Sequence, residues 1–457
     1  MNNQTWRIRD PIHGLVVFNG ADQIDRLAWQ LIQTPEFQRL RRIKQLGISE
    51  FVFPGATHTR FSHSIGVYHN ARRLMDVIRR NPLGGNFDDK GAKVALIAAL
   101  LHDLGHGPFS HAFEGACETL AKSRPGKAIE THEKLTAKLI LAEDGGVRPL
   151  LDEMDPALAE QAAALIRADN PADVYHAVVS SSFDADRLDY LMRDRYMTGT
   201  GAGSIDYDWL IDNLATDEIR VPQDDDDRPE QIPTFVFKLK GRQAAEDFLF
   251  ARYRLYTQVY LHKTTRGFEQ IISALIRRVG EMSDDPGILG LDTEHPLVRF
   301  LRPNGESLAD YRNLDDAVVW GAIERLRRCK DEQARKLALR LWNREPLKVL
   351  DISGQFGHDD NTLHNALRRV SDYSQNKLGI TIFRDEASYN LYSQAKGDMM
   401  QEHKKVRVRA GDGSLKEITE FPDTAIRDAL TKKNKMIRYY FLTSEEREAT
   451  EKAMTGR

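Results

Sequence analysis

Residues 94–101 are uninterruptedly apolar, and they run straight into H-D-L-G-H-G-P-F-S-H-A-F-E at 102–114. No other stretch restricts the fold as much. Eight apolar residues in a row call for burial but are too few to span a bilayer. The next 13 residues hold three histidines and two carboxylates: His102, Asp103, His106, His111 and Glu114. Ionisable groups beside a buried helix are unfavourable unless they are paired. The sequence therefore predicts a core helix that delivers a polar cluster to the core edge. Gly105, Gly107 and Pro108 interrupt the pattern, because Gly suits a helix end and Pro the first turn of the next helix. In a helix, loop, helix reading, His102 and His106 share one face, and His111 meets Glu114 on the second helix. Imidazole with carboxylate suits Mn, Fe or Zn, and carboxylate with water suits Mg.

The dipeptide alone carries little weight. With 14 His and 68 acidic residues in 457, roughly two His-acid pairs arise by composition. His358-Asp359 reads as such a pair in a solvated Gly/Asp/Asn loop. The density of ligand types at 102–114 is what composition does not explain. Charge is nearly balanced at −3, so no global field draws the chain to nucleic acid or membrane, and any anion site must be local. Cys117 and Cys329 are far apart with no ligand spacing, which argues against a disulfide or Cys-zinc framework and fits a cytoplasmic location. The first residues lack the apolar core of a signal peptide.

Taken in order, residues 1–20 read as extended around the turn D-P-I-H-G at 10–14. Residues 22–32 repeat apolar side chains at helical spacing, and Thr34-Pro35 caps a second helix expected over 35–46. Its Arg39, Arg41, Arg42 and Lys44 read as a solvated face. A strand is expected within 51–60. Arg60 and His63 follow on a helix, three residues apart, which would set a guanidinium beside a metal, an arrangement suited to phosphate. His132 is a further candidate. Asp186, Tyr190, Arg193 and Asp194 share a face of a helix that also reads as a salt-bridged surface helix. Residues 218–240 form a hairpin, with the Asp run 224–227 at its tip. A long helix over 242–281 aligns Arg252, Tyr256 and Tyr260, an unusual row for a core. A second hairpin turns at Asp412-Gly413 within 403–421; with Lys432, Lys433, Lys435 and Arg438 it reads as an edge guarded by basic residues or a contact for nucleic acid.

These residues resemble the HD-domain phosphohydrolases, which hold a metal through one His, a His-Asp pair and a distant Asp. The matching positions are His63, His102, Asp103 and Asp186. The segments I-K-Q-L-G (43–47), F-P-G-A-T-H-T-R-F-S-H-S-I-G-V (53–67), T-H-E (131–133), D-R-L-D-Y-L-M-R-D (186–194) and Y-L-H-K (260–263) are similar to the deoxynucleoside triphosphate triphosphohydrolase branch. The resemblance covers roughly residues 8–280, and no sterile alpha motif domain, as in the human restriction-factor member, is expected before it. It implies metal-activated water attacking the α-phosphorus, releasing deoxynucleoside and inorganic triphosphate. His111 would protonate the departing 5′ oxygen, supported by Glu114 and His132, and His106 would touch the α-phosphate. Arg60, Arg187 and Arg252 would hold the phosphates. Gln45 and Leu46 would meet the sugar, Tyr190 and Asp194 would close on its 3′ hydroxyl, Tyr256 would line the same pocket, and Tyr260 would stack on the base.

The chain departs from the branch at Glu114 (for Asp), Arg187 (for Lys) and Tyr256 (for His). At the branch's nucleotide activator site, Arg9 and Gln33 replace Asn and Asp, whereas Gln38 and Arg41 are retained. A carboxylate reads a guanine edge, so the activator stays open. The expectation is a mainly α fold: an HD-type core over 1–283, a helical extension over 284–345, and an α+β region over 346–457 for oligomerisation or regulation. The expected cofactors are Fe, Mn or Zn at the HD site and Mg with the triphosphate. The expected partners are deoxynucleoside triphosphates, a nucleotide activator, further copies of the chain as a dimer or tetramer, and single-stranded nucleic acid, with no membrane. Pool control and antiviral defence are both compatible. The alternatives are a nucleotidase or signalling-nucleotide hydrolase of the same family, or a nucleic-acid-binding module with a silent metal site.

Overall fold

The computed structural model describes residues 4–123, 130–168, 173–201, 205–221, 230–303, 305, 307–353, 360–374, 377–378, 381–389, 404–424 and 434–455. His358-Asp359, the Asp run 224–227, Lys432 and Lys433 lie outside them. At the N-terminus β1 (Thr5–Asp10) and β2 (Gly14–Asn19) pair antiparallel, with Asp10 opposite Gly14. The Asp10 carboxylate closes the turn by accepting from the backbone N–H of Ile12 and His13 at 2.9 and 3.0 Å. Asp22 caps α1 (Gln23–Ile32), and Thr34 caps α2 (Pro35–Arg39), whose first residue is Pro35.

The helix expected over 35–46 stops early. One tight turn, Leu40–Arg42, follows α2, and Lys44 then bridges to Thr59. Nor does 51–60 form a strand: Ser49–Phe51 is a 3₁₀ turn, and Phe51 packs edge-on to Phe268 at 5.0 Å. A short apolar run does not distinguish strand from other buried backbone. The basic run is solvated only in part, since Arg41 and Arg42 are exposed. Arg39 is buried, and its guanidinium donates to the carbonyls of Leu314, Leu104 and His106 at 2.7, 3.2 and 2.9 Å. Arg41 stacks over Phe61, and Arg42 pairs with Asp315.

The helical body continues with α3 (Arg60–Arg80), α4 (Asp89–Leu101), α5 (His111–Ser123), α6 (His132–Leu141), α7 (Val147–Met154), α8 (Leu158–Arg167), the short α9 (His176–Val179) and α10 (Ala185–Thr198). Gly199 ends α10 in the left-handed conformation, φ +67°. After α11 (Tyr207–Asp212), β3 (Leu214–Val221) and β4 (Glu230–Lys238) form the expected hairpin. The helix expected over 242–281 is broken. α12 (Arg242–Leu255) passes through a π turn, Tyr256–Tyr260, before α13 (Lys263–Glu281). Four helices follow: α14 (Pro296–Leu301), α15 (Leu308–Arg312), α16 (Asp316–Leu326) and α17 (Glu332–Trp342). Then come β5 (Lys348–Asp351), α18 (Asp360–Ser374), β6 (Ile382–Tyr389), β7 (Arg407–Arg409), β8 (Leu415–Glu417), β9 (Asn434–Phe441) and α19 (Ser444–Thr455).

The chain is mainly helical, with its strands in small sheets. The β7–β8 hairpin turns as expected at Asp412-Gly413, and β7 adds in parallel to β4, giving the order β3-β4-β7-β8. β9 lies between β5 and β6, antiparallel to both. Much of the basic character of these strands is neutralised within the fold: Arg409 pairs with Asp217, Lys435 with Glu386 at 2.9 Å, and Arg438 with Asp351 at 2.6 Å. Two helical cores share α3 and α4. One includes α1, α5, α13 and α17; the other includes α9, α10, α12 and β4.

Near this seam, His69 on α3 sits 4.8 Å from the ring of His13. Burial, helped by the charges of His13, Arg72 and Arg73, pushes His69 down to about 4 from 6.5. Its folded-state pKa is depressed, so the unfolded chain binds the proton first. The corresponding stability is full above 6.5 and is lost as pH falls toward 4. Denaturant unfolding over a pH series is expected to show a several-fold smaller acid loss of the folding constant in His69→Gln between these limits; an unchanged pH profile would contradict this.

Candidate active site

α4 ends at Leu101, and His102 is its C-cap. His102 and His106 therefore do not share a helical face, as the spacing suggested. A loop wraps them around Asp103, whose Oδ1 lies 3.2 Å from Nε2 of each. Arg39 splints this loop through the carbonyls of Leu104 and His106. Gly105 permits it to lie against α6, since a Cβ there would come within 2.2 Å of the His132 carbonyl oxygen. Phe109 and Ser110 both take positive φ, 54° and 48°, and so turn the chain sharply into α5. The Phe109 N–H donates to Asp316 at 2.8 Å, which anchors that turn.

His63 from α3 and Asp186 from α10 complete a four-residue set. Ligand atoms of His63, His102 and Asp103 all lie within 4.8 Å of one another. Asp186 Oδ1 is 3.0 Å from His63 Nε2 and 3.8 Å from His102 Nε2. Both Nε2 atoms are buried without an aligned hydrogen-bond partner. The other ring nitrogens are committed. His102 Nδ1 donates to the Ala99 carbonyl at 2.8 Å, and His63 Nδ1 meets Asp189 Oδ2 at 2.7 Å. That arrangement leaves the Nε2 lone pairs aimed at one point. Two imidazoles and two carboxylates converging on buried, unsatisfied nitrogens fit a divalent cation such as Mn, Fe or Zn. Burial presses the His63 imidazolium down, but Asp186 and Asp189 outweigh it and raise the group to about 10. Burial raises the Asp103 carboxyl, yet Arg60, donating at 2.7 Å, brings it well below the usual carboxylate range.

Beside this set stands a second one. Glu114 Oε1 lies 3.2 Å from His132 Nδ1 and 3.6 Å from His106 Nδ1, and Oε2 lies 3.2 Å from His111 Nδ1. The rings of His106 and His132 stack at 4.0 Å. Burial and the Arg60 charge keep His106 well below 6.5 and so neutral. Burial also lowers His132, but Glu114 more than reverses that. The His111 side chain is 73% exposed, so little but Glu114 restrains it.

A cavity of about 490 Å³ opens from these groups. Its lining brings together Gln45, Leu46, Arg60, His102, Asp103, His106, His111, His132, Asp186, Arg187, Tyr190, Asp194, Arg252, Tyr256 and Tyr260. Of the expected metal, catalytic and substrate residues, His63 and Glu114 stand behind its wall. The face of α10 that also read as a surface helix turns inward onto the cavity: Asp194 is buried, accepting from Tyr260 Oη at 2.7 Å and lying 2.7 Å from His58 Nε2. Tyr256 and Tyr260 meet edge-on at 5.1 Å because the π turn shifts their register. Arg187 is turned onto Asp184, the cap of α10.

A model of the HD domain matches residues 60–191, which contain all four candidate ligands. An uncharacterized Bacillus subtilis protein, YwfO, is 35% identical over 76% of this chain and 72% of its own length. The Dictyostelium discoideum SAMHD1 homolog, named as a deoxynucleoside triphosphate triphosphohydrolase, is 30% identical over 75% of this chain and 60% of its own. The crystal structure of a Bacteroides thetaiotaomicron phosphohydrolase superposes with a TM-score of 0.72 at 27% identity, covering 96% of this chain and all of that one. The chain belongs to the HD-domain phosphohydrolases. Among the described residues no helix is long and apolar enough to cross a membrane.

Sequence reasoning passed over the groups that hold this HD centre in place. Asp189 is fully buried and accepts from Arg193 through two bonds, at 2.8 and 2.9 Å, while His13 Nε2 lies 2.7 Å away. Arg193 also reaches Asp10 at 2.8 Å, so the N-terminal hairpin turn is wired to the back of His63. D-P-I-H-G signalled a turn and the D-Y-L-M-R segment the family resemblance, but nothing local says that they meet. Gly66 makes the meeting feasible. A Cβ there would fall 1.8 Å from Asp189 Oδ1 and 2.6 Å from Arg193 Nη2. Gly66→Ala is expected to cost more than about 3 kcal/mol, on the scale of breaking a buried ion pair. Denaturant unfolding tests this, and a near-neutral change would contradict the packing.

Proposed function

We propose that this HD phosphohydrolase cleaves deoxynucleoside triphosphates to deoxynucleoside and inorganic triphosphate in the cavity described above. The observation that carries the reading is the polar clamp opposite the cation set. Asp194, held by Tyr260 and His58, lies with Tyr190 on the cavity wall, where a hydroxyl donor on a sugar would find a buried acceptor. The tyrosines crowd that end, which favours a sugar without a 2′ hydroxyl. The SAMHD1 homolog's printed activity supports the same reading.

A divalent cation bound by His63, His102, Asp103 and Asp186 would supply positive charge at the α-phosphate and make a water more acidic. Arg60, Arg187 and Arg252 hold the phosphate chain, and neutral His106 approaches the α-phosphate without adding a proton of its own. His111, exposed and tethered by Glu114, delivers a proton to the departing 5′ oxygen, while the raised His132 keeps Glu114 ionised. Gln45, Leu46 and Tyr256 border the sugar. Mg accompanies the triphosphate. The C-terminal α+β region serves assembly of a cytoplasmic homo-oligomer and regulation by a nucleotide.

The test is incubation of metal-replete protein with each of the four deoxynucleoside triphosphates, singly and mixed, with chromatographic identification of products. Inorganic triphosphate with free deoxynucleoside supports the reading. Orthophosphate or pyrophosphate assigns the chain to another HD activity. Turnover confined to mixtures reveals an activator.

A further inference from the structure

Behind the ligand wall lies a second chamber of about 500 Å³. It shares His102, His132 and Asp186 with the substrate cavity, so the two spaces meet at the cation set. The set is closed elsewhere: the side chains of His63, Asp103 and His102 are at most 15% exposed, whereas Asp186 is 37% exposed. Three cations from three separate segments line the chamber. They are Lys134 in the first turn of α6, Arg167 at the end of α8, and Lys404 ahead of β7. No carboxylate among the described residues pairs with any of them. Glu133, the one lining acid besides Asp186, lies 3.2 Å from His132 Nε2. The Lys404 backbone is anchored, since its carbonyl accepts from the Ser182 hydroxyl.

Like charges gathered in a concavity repel one another, and an anion entering it relieves that repulsion. The neighbouring cavity also carries cations, but there Arg60 is paired with Asp103, Arg187 with Asp184 and Arg266 with Asp385, and three tyrosines share the lining. We infer that the rear chamber receives the inorganic triphosphate product, so that the polyanion and the nucleoside leave the centre by different sides. This rests on the reaction proposed above. An orthophosphate ion, smaller and less charged, would be held more weakly by the same three cations.

The test uses the full-length, metal-replete chain carrying Lys134→Ala, Arg167→Ala and Lys404→Ala together. All three side chains are exposed, and a thermal melt checks that the fold survives. Should the triple variant not fold, Lys134→Gln and Lys404→Gln take its place. Inorganic triphosphate is added as an inhibitor of deoxynucleotide hydrolysis. The expected result is an inhibition constant raised about tenfold or more with KM for the nucleotide unchanged, as for loss of a local electrostatic site. An unchanged inhibition constant overturns the inference, as does a KM that rises in step with it, which would assign the chamber to the substrate's own phosphate tail. Failure of the reaction reading is distinguishable, because wild-type product analysis reports it separately. Calorimetric titration of inorganic triphosphate without nucleotide then compares wild type with variant, and equal affinity in the two sinks it.

Discussion

Asp103→Ala is expected to remove hydrolysis by at least about a thousandfold, the scale on which enzymes lose a principal electrostatic stabiliser of the transition state. The reason is geometric. One carboxylate faces His102, His106 and Arg60, with Oδ1 at 3.2 Å from both imidazoles and Oδ2 accepting from Arg60 at 2.7 Å. Its loss takes away a cation ligand and leaves a buried guanidinium whose one remaining acceptor among the described residues is the Ser110 hydroxyl, at 2.8 Å. Two effects follow, and they separate. Metal content, measured on protein purified in excess Mn or Fe, should fall with activity. Stability should fall less in Asp103→Asn, which keeps an oxygen for Arg60. A variant that lost its charge but kept both metal and turnover would remove Asp103 from the centre.

Asp189→Ala should be the most damaging change outside the ligand set. Its two oxygens face His63, His13 and two nitrogens of Arg193, all within 2.9 Å and all buried. Removing one member of such a network leaves an uncompensated buried charge, a loss of about 3–5 kcal/mol. Arg193 retains Asp10, which keeps the penalty from being larger. His63 would also lose the acceptor that orients its ring, and losing such a partner of a metal-holding imidazole weakens metal affinity about 10–100-fold. Denaturant unfolding and metal titration read the two effects independently. Full stability together with unaltered metal affinity would show that Asp189 neither orients His63 nor supports the fold.

Both expectations depend on residues of unequal visibility in the chain. The caps at Asp22, Thr34 and Asp184, the hairpin at Asp10 to Gly14 and the apolar run of α4 are short-range patterns. Local backbone chemistry specifies them, whatever the rest of the chain does. The cluster at 102–114 announced a polar centre because its density exceeded what composition supplies. Two of the readings that failed, a shared face for His102 and His106 and an unbroken helix over 242–281, assumed regular backbone where α4 ends in a loop and a π turn intervenes. Helical periodicity does not place the residue at which a helix breaks: Gly105 follows the end of α4 by several residues, and no Gly or Pro stands within 256–260. Arg39 likewise read as solvated because a basic residue beside other basic residues normally is; its carbonyl acceptors come from residues 104, 106 and 314.

The chemistry of the centre was thus written in local sequence: imidazoles, carboxylates and arginines of the right kinds at known positions. Their convergence was not. Asp189, His13, Asp10 and Arg193 form one buried network only because α3, α10 and the N-terminal hairpin turn pack together, with Gly66 leaving room between them. Contacts across more than a hundred residues depend on how helices dock, and docking is decided by the summed burial of whole faces, not by any short pattern. Sequence alone named what the site is made of; tertiary packing decided where its lone pairs point.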